Sequence, residues 1–386
     1  MSLGATVAAE RSALKPAEDI RVMVVDDSAV VRGLVSRWLR EVPGIDVVAS
    51  HGNGWLAVRD VVKSDPDVVL LDVEMPEMDG LTALPKLLEA KPDLKVIMAS
   101  TLTARNAEIS LRALSLGAAD YVPKPETNRG VSTSEEFRRS LCEKVLAIGR
   151  EARPLTHAPS QRLRAGGLGR DAAERQEGDE GAQVSLRHQT PVAPRVVVIG
   201  SSTGGPQALF TVTEAIAGSI DHVPVVIAQH MPPMFTTILA DHISKNCGRP
   251  CKEAEDGETI KPGHIYIAPG GKHLILEPAG GGARVRLDDG PPVNFCKPAV
   301  DPTFHSAVHV FGPTVLGVVL TGMGSDGRAG ASAIADAGGN VLAQDRETSV
   351  VWGMPGSAVA AGACCAVLPL SEIGPRVVRA ISGVVR

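Results

Sequence analysis

Three carboxylates stand where short apolar runs stop. Asp26 and Asp27 follow the run over 22–25, and Asp72 follows that over 68–71. Acids gathered at such points repel one another unless a cation sits among them. Mg²⁺ suits, because it takes oxygen ligands and also engages phosphate. Ser100 ends a fourth run and Lys124 follows a fifth, so a hydroxyl and an ammonium can face the same acids. That set matches a phosphoryl group carried on one carboxylate. Further along, Ser202, His230 and Asp326 also follow apolar runs, two of them within the glycine-rich stretches 200–205 and 321–327. A hydroxyl, an imidazole and an acid of this kind can serve as nucleophile, base and orienter, and histidine is the usual proton shuttle near neutral pH. Ser201 and Thr203 compete as hydroxyls and could simply cap the following helix. Spacing alone does not choose Ser202 over Ser201.

The elements that must position these groups come in two series. Strands are expected over 20–25, 45–49, 68–71, 95–99 and 120–122, with helices over 29–42, 54–64, 81–90 and 106–116 between them. Short strands alternating with helices predict a parallel sheet covered on both faces. Five such units predict a doubly wound domain over 20–127, whose ligand crevice lies at the carboxyl ends of the strands. Residues 1–19 form a tail. The stretch 128–194 can hold a helix over 134–150, but its Arg, Glu, Gly, Ala and Gln show no sustained periodicity from 151 on, and it is expected as a linker. A second doubly wound α/β domain is expected over 195–386. It has strands over 195–199, 223–228, 315–320 and 340–343, helices over 206–217 and 330–337, and a hairpin excursion built from short strands near 265–268, 274–277 and 283–287.

Composition excludes several classes. A net charge of -5 and 3% aromatic residues argue against nucleic-acid binding. Six cysteines in 386 residues make no disulfide scaffold, and free thiols in a reducing cytoplasm are expected. Residues 1–19 lack a signal-peptide layout, and no apolar run nears the roughly 18–20 residues that cross a bilayer. Neither a membrane span nor a nucleic-acid partner is expected.

Two resemblances sharpen this. Val25-Asp26-Asp27-Ser28, the stretch 71–80 reading Leu-Asp-Val-Glu-Met-Pro-Glu-Met-Asp-Gly, and Tyr121-Val122-Pro123-Lys124-Pro125 resemble the response-regulator receiver domains over 20–127. The resemblance implies Asp72 as phosphoacceptor, with Mg²⁺ held by Asp27 and Asp72. Asp26 would place a metal-bound water and the Glu74 carbonyl would add a ligand. It also implies Ser100 and Tyr121 as a switch pair and Lys124 as the grip on phosphoryl oxygens.

Ile-Gly-Ser-Ser-Thr-Gly-Gly at 199–205, Gln-His-Met-Pro at 229–232 and Thr-Gly-Met-Gly-Ser-Asp-Gly at 321–327 resemble the chemotaxis protein-glutamate methylesterases over 195–380. This implies Ser202 as nucleophile, His230 as general base, Asp326 as its partner and the Met323 N–H as an oxyanion donor, with no cofactor at that site. It implies methyl-ester hydrolysis, and glutamine deamidation, on methyl-accepting chemoreceptors, with a chemotaxis histidine kinase as phosphodonor and a cytoplasmic location. The rival expectation is a phosphorylation-gated, non-catalytic binding module.

Other motifs carry less. The turn 200–205 lacks the Gly-x-Gly-x-x-Gly spacing and the later acid of a dinucleotide site, and the order Ser…His…Asp differs from that of the α/β-hydrolases. His305 and His309 lie four apart on an expected helix, but Ser306 stands where a zinc-protease motif needs Glu. They read as packing or a solvated face, with Lys297 and Asp301 as unassigned surface charges.

Overall fold

A computed structural model describes residues 19–101, 103–124, 131–153 and 186–383. Nearly all of the expected tail over 1–19 lies outside these residues. The first series runs β1 (Ile20–Val25), α1 (Ala29–Arg40), β2 (Ile45–His51), α2 (Gly54–Ser64), β3 (Val68–Asp72), α3 (Gly80–Ala90), β4 (Lys95–Thr101), α4 (Ala104–Ser115), β5 (Asp120–Lys124) and α5 (Val131–Ala152). Near-continuous apolar runs such as Val68–Leu71 are what a strand buried on both faces requires, and every residue of β3 is buried. Ser28, Asn53 and Asp79 each accept a backbone N–H at the start of the helix that follows, which fixes where the chain turns back over the sheet.

The five strands are parallel, in the order β2-β1-β3-β4-β5. The order reverses at β1, and that switch point opens a crevice at the strand ends. Register does the rest. Val25 pairs with Leu71, so Asp26 and Asp72 leave neighbouring strands at one height.

The expected boundary at 127 moves in the structure. Phe137, Leu141, Val145 and Ile148 of α5 are buried in one apolar cluster with Val22 and Val24 of β1, so the first packed unit extends through α5. The helix is the one expected over 134–150, and its packing on β1 is a long-range contact that local spacing does not encode. The far end of the expected linker is also ordered. Arg187 N donates to the Cys364 carbonyl at 2.9 Å, and Thr190 exchanges hydrogen bonds with the Asn340 side chain at 2.9 and 3.0 Å. Residues 154–185 lie outside the described residues.

The second series contains β6 (Val196–Ser201), α6 (Gly205–Ile216), β7 (Val225–Gln229), α7 (Phe235–Cys247), β8 (Cys251–Glu253), β9 (Ile265–Ile267), β10 (His273–Ala279), β11 (Gly282–Asp288), α8 (Val300–Phe311), β12 (Val315–Val319), α9 (Arg328–Asp336), β13 (Asn340–Gln344), α10 (Gly353–Ala360), β14 (Ala366–Leu368) and α11 (Leu370–Ile381). Seven parallel strands lie in the order β14-β13-β12-β6-β7-β9-β8. β6 is first in sequence and central in space, so this sheet also reverses direction there. Ser201 pairs with Gln229 and Val319 with Gly200, which brings the residues after β6, β7 and β12 to one edge.

Two of the three strands expected in the hairpin excursion form β10–β11, antiparallel and separate from the main sheet, whereas the run over 265–268 is β9, a parallel strand of the main sheet. The hairpin grips α8: Thr303 Oγ1 donates to the Leu274 carbonyl at 2.9 Å, and Leu276 N donates to Ser306 Oγ at 3.0 Å. No helix among the described residues is long and apolar enough to cross a membrane.

Candidate functional site

Asp26, Asp27 and Asp72 meet at the first switch point, with candidate ligand oxygens within 4.8 Å of one another. Lys124, the last residue of β5, reaches across: its Nζ donates to Asp26 Oδ2 at 2.6 Å and lies 2.7 Å from Asp72 Oδ1. Burial raises the Asp72 pKa, the Lys124 ammonium opposes that, and the charges of Asp26 and Asp27 add to the rise. One ammonium among three carboxylates leaves negative charge uncompensated, which is the donor set a hard divalent cation favours. Glu74 and Asp27 line a cleft at this edge together with Arg105. Gly80 lets the loop close: a Cβ there would fall 2.0 Å from the Asp72 carbonyl oxygen.

The expected switch residues have partners of their own. Ser100 Oγ is hydrogen-bonded to Ser110 Oγ of α4 at 2.8 Å. Tyr121 is buried and stacks on Phe235, the first residue of α7, with ring centroids 4.5 Å apart and planes 6° from parallel.

At the second switch point the two candidate serines part company. Ser201 is buried and its Oγ donates to Gln229 Oε1 at 2.6 Å, a structural bond between neighbouring strand ends. Ser202 Oγ is half-buried and makes no hydrogen bond among the described residues. The Ser202 backbone is held instead. Its N–H donates to Thr321 O at 3.0 Å, and its carbonyl accepts from Gly205 N at 2.7 Å and Gln229 Nε2 at 3.0 Å. Gly322 approaches so closely that a Cβ there would sit 2.9 Å from Ser202 Cβ.

His230 leaves β7 beside them, its N–H donating to Ser201 O at 3.1 Å. Its Nε2 lies 2.7 Å from Asp326 Oδ2 and its Nδ1 lies 3.3 Å from Cys296 Sγ. Asp326 is 2% exposed and heavily bonded. Oδ2 also accepts from Val300 N at 2.6 Å, and Oδ1 accepts from Asn294 Nδ2, Asp301 N and Gly327 N at 2.9, 3.1 and 3.0 Å. Burial alone would raise the Asp326 pKa, but these donors and His230 pull it down to about 2. For His230 burial works against the charged form, yet the bonds to Asp326 and Cys296 prevail and raise its pKa to about 9. The N–H of Met323 has no acceptor among the described residues.

Asp301, expected as a surface charge, is instead buried beside Asp326. Its side chain accepts from Gly330 N at 2.7 Å and Asn294 Nδ2 at 3.0 Å. It folds inward because it opens α8, which the hairpin clamps against the site. Asn294 and Cys296 were not singled out by spacing. They belong to a turn with φ of 50° at Asn294 and 63° at Phe295, closed by reciprocal backbone bonds between Val293 and Cys296. No periodicity marks such a turn in the sequence. His305 and His309 are exposed on α8, and neither joins a group of three candidate metal ligands among the described residues.

The first unit abuts this edge. Gln207, in the first turn of α6, donates from Nε2 to the carbonyls of Leu114, at 2.9 Å, and Ala118. Val351 joins the apolar cluster of α5 and β1, and Met323 and Val350 pack against it. Helices α6 and α7 begin just after Ser202 and His230, so the first unit packs on the helices that start at the second site.

Comparison with known proteins adds the following. The CheB methylesterase family model matches residues 197–377, and that of the response regulator receiver domain matches 22–133. A protein-glutamate methylesterase/protein-glutamine glutaminase of Rhodopseudomonas palustris (strain BisB5) is 54% identical over 366 residues, covering 95% of each chain. One of Rhodospirillum rubrum is 52% identical over 369 residues, covering 93% of this chain and 95% of its own. Among solved structures, the Thermotoga maritima CheB methylesterase catalytic domain is 42% identical with a TM-score of 0.47, covering 49% of this chain and 99% of that one.

Proposed function

The chain belongs to the family of CheB methylesterases that carry a response regulator receiver domain, and from that premise we propose that it is a phosphorylation-activated protein-glutamate methylesterase and protein-glutamine glutaminase. It acts in chemotaxis, in the cytoplasm, on methylated glutamates and selected glutamines of chemoreceptors, with a chemotaxis histidine kinase as phosphodonor. We assign the receiver unit to residues from 20 through α5 and the catalytic unit to those from 195 on.

One observation supports the reading: Ser202 and His230 directly follow the paired ends of β6 and β7, and the His230 Nε2 is bound to a buried carboxylate. With Nε2–H committed to Asp326, Nδ1 is the nitrogen left to accept a proton. Ser202 Oγ attacks the ester carbonyl and gives its proton to His230 Nδ1. The oxyanion is met by the Met323 N–H and the N-terminus of α6. As the tetrahedral centre collapses, His230 returns the proton to the leaving methoxide, and methanol departs. Water activated by His230 then cleaves the glutamyl–Ser202 ester and releases the glutamate. With glutamine the leaving group is ammonia. Asp326 holds the imidazole and stabilises its charged form.

Ser202→Ala abolishes methanol release from methylated receptors, to below about 1% of the parent rate. Ser201→Ala retains a substantial rate, because its hydroxyl is a structural donor. Equal losses in the two variants would reject the assignment.

Control runs through Asp72. A receiver domain generally binds Mg²⁺ at its acidic cluster, and Asp26, Asp27 and Asp72, with the Glu74 carbonyl, would hold the ion here. Bound there, it would offset negative charge on phosphoryl oxygens. Lys124 grips the same oxygens, which draws it from its present bonds to Asp26 and Asp72. Ser100 and Tyr121 respond as the switch pair. The Tyr121–Phe235 stack supports a resting state in which the receiver holds the Ser202 edge closed.

A further inference from the structure

The hydrogen-bond partner of His230 Nδ1 is a thiol. Cys296 Sγ lies 3.3 Å from His230 Nδ1, on the far side of the ring from Asp326, giving a continuous chain of thiol, imidazole and buried carboxylate. When the imidazole is neutral Nδ1 accepts from the thiol, when it is charged Nδ1–H donates to the sulfur, and either way the sulfur occupies the nitrogen that Ser202 requires. Cys296 is held there by the closed turn Val293–Cys296 and is half-buried, and the preceding residue, Phe295, is 94% exposed at the turn tip. The other cysteines lack such a setting. Cys142, Cys251 and Cys364 are buried, and burial raises the pKa of each, most strongly in Cys251 and Cys364. None of the five is hydrogen-bonded to a histidine or a cation among the described residues.

We propose that Cys296 is a reversible oxidative modification site that switches the hydrolase off through His230. The inference rests on the reading of His230 as general base. The oxidant is hydrogen peroxide. The thiol proton passes to His230 Nδ1 as the sulfur attacks one peroxide oxygen. An S–O bond forms, the O–O bond breaks, and the departing hydroxide takes the proton from the imidazolium to leave as water. Sulfur loses two electrons and the peroxide gains them, giving Cys296 sulfenic acid. The new S–OH group faces Nδ1 and stands where the Ser202 proton must arrive, so ester hydrolysis stops. A dithiol restores the thiol: its first sulfur displaces water to form a mixed disulfide, and its second closes the dithiol's own disulfide, releasing Cys296.

The test uses the full chain with hydrogen peroxide and a sulfenic-acid trap read by peptide mass spectrometry, alongside methanol release. Trapping concentrates on the Cys296 peptide, and hydrolysis falls about tenfold or more and recovers with dithiothreitol. Cys296→Ser, with each protein scaled to its own untreated rate, keeps its activity through the treatment. His230→Ala slows trapping at Cys296 by about tenfold, because the proton acceptor is gone. Trapping spread evenly over the cysteines, or equal inactivation of Cys296→Ser, overturns the proposal. Trapping in Ser202→Ala separates the two readings: it persists there even if Ser202 is not the nucleophile.

Discussion

Asp326 accepts four hydrogen bonds besides the one from His230, and this explains why so buried a carboxylate stays ionised. Its pKa is depressed while that of His230 is raised above the ordinary 6.5, so the pair behaves as an ion pair across neutrality. A general base must be neutral to act. The rate, as kcat/KM for ester hydrolysis, therefore climbs with pH through the folded pKa of His230, with its acid limb well on the alkaline side of 6.5. Cys296→Ala removes one of the bonds that raise that pKa, and the limb moves to lower pH. A parent limb at or below 6.5 would contradict the electrostatics. Stability follows the same sign. The raised histidine stabilises the fold fully below about pH 6.5, and that contribution fades as pH rises through about 9. Asn294 carries a second test. Its Nδ2 is shared between Asp301 and Asp326, and Asn294→Ala leaves two buried carboxylates facing each other. Urea denaturation should show a loss of roughly 1–3 kcal/mol, with kcat/KM falling alongside.

Strand ends and helix starts carry most of what the sequence revealed. Asp26, Asp72, Ser202 and His230 could be picked out because each directly follows or closes a buried run, and Asp326 because it lies in the glycine-rich loop after one; parallel registers such as Val25 with Leu71 and Ser201 with Gln229 turn strand-end position into proximity. Elements without such punctuation escaped notice. The strands β8 and β14 have three residues each, α11 carries an internal proline, and α10 is built of glycine, alanine and small residues with no clear stripe. The choice between Ser201 and Ser202 also escaped, since it depends on a bond to Gln229 that spacing cannot encode. At this scale the contact to disturb is Tyr121 with Phe235. Phe235→Ala deletes the stack and cuts into the start of α7, so the unphosphorylated chain should hydrolyse receptor esters several-fold faster, while its phosphodonor-stimulated rate changes less. An unchanged resting rate would show that the stack does not hold the receiver down.

Among the described residues the two parallel sheets are each doubly wound, with a candidate site at the switch point of strand order, and β10–β11 stands beside the second. Two α/β units and a connecting stretch were readable from the alternation of runs. The extent of each unit was less so, because the packing of α5 on β1 is long-range and the strap over 186–194 is held by hydrogen bonds rather than by a patterned face. Asp72→Ala should make the chain indifferent to added phosphodonor at any concentration, measured as methanol release over time. A response equal to the parent's would remove Asp72 from the control path.

One consequence follows from how slight the aromatic latch is. A stacked pair contributes about 0.5–1.5 kcal/mol beyond the area it covers, and couplings between sites commonly amount to about 1–3 kcal/mol, or roughly 5–150-fold. An enzyme restrained by no more than that would never be wholly silent. It would leak at rest, and its gain on stimulation would have a ceiling set by that same difference, so receptor methylation would be trimmed continuously, with the signal adjusting the pace.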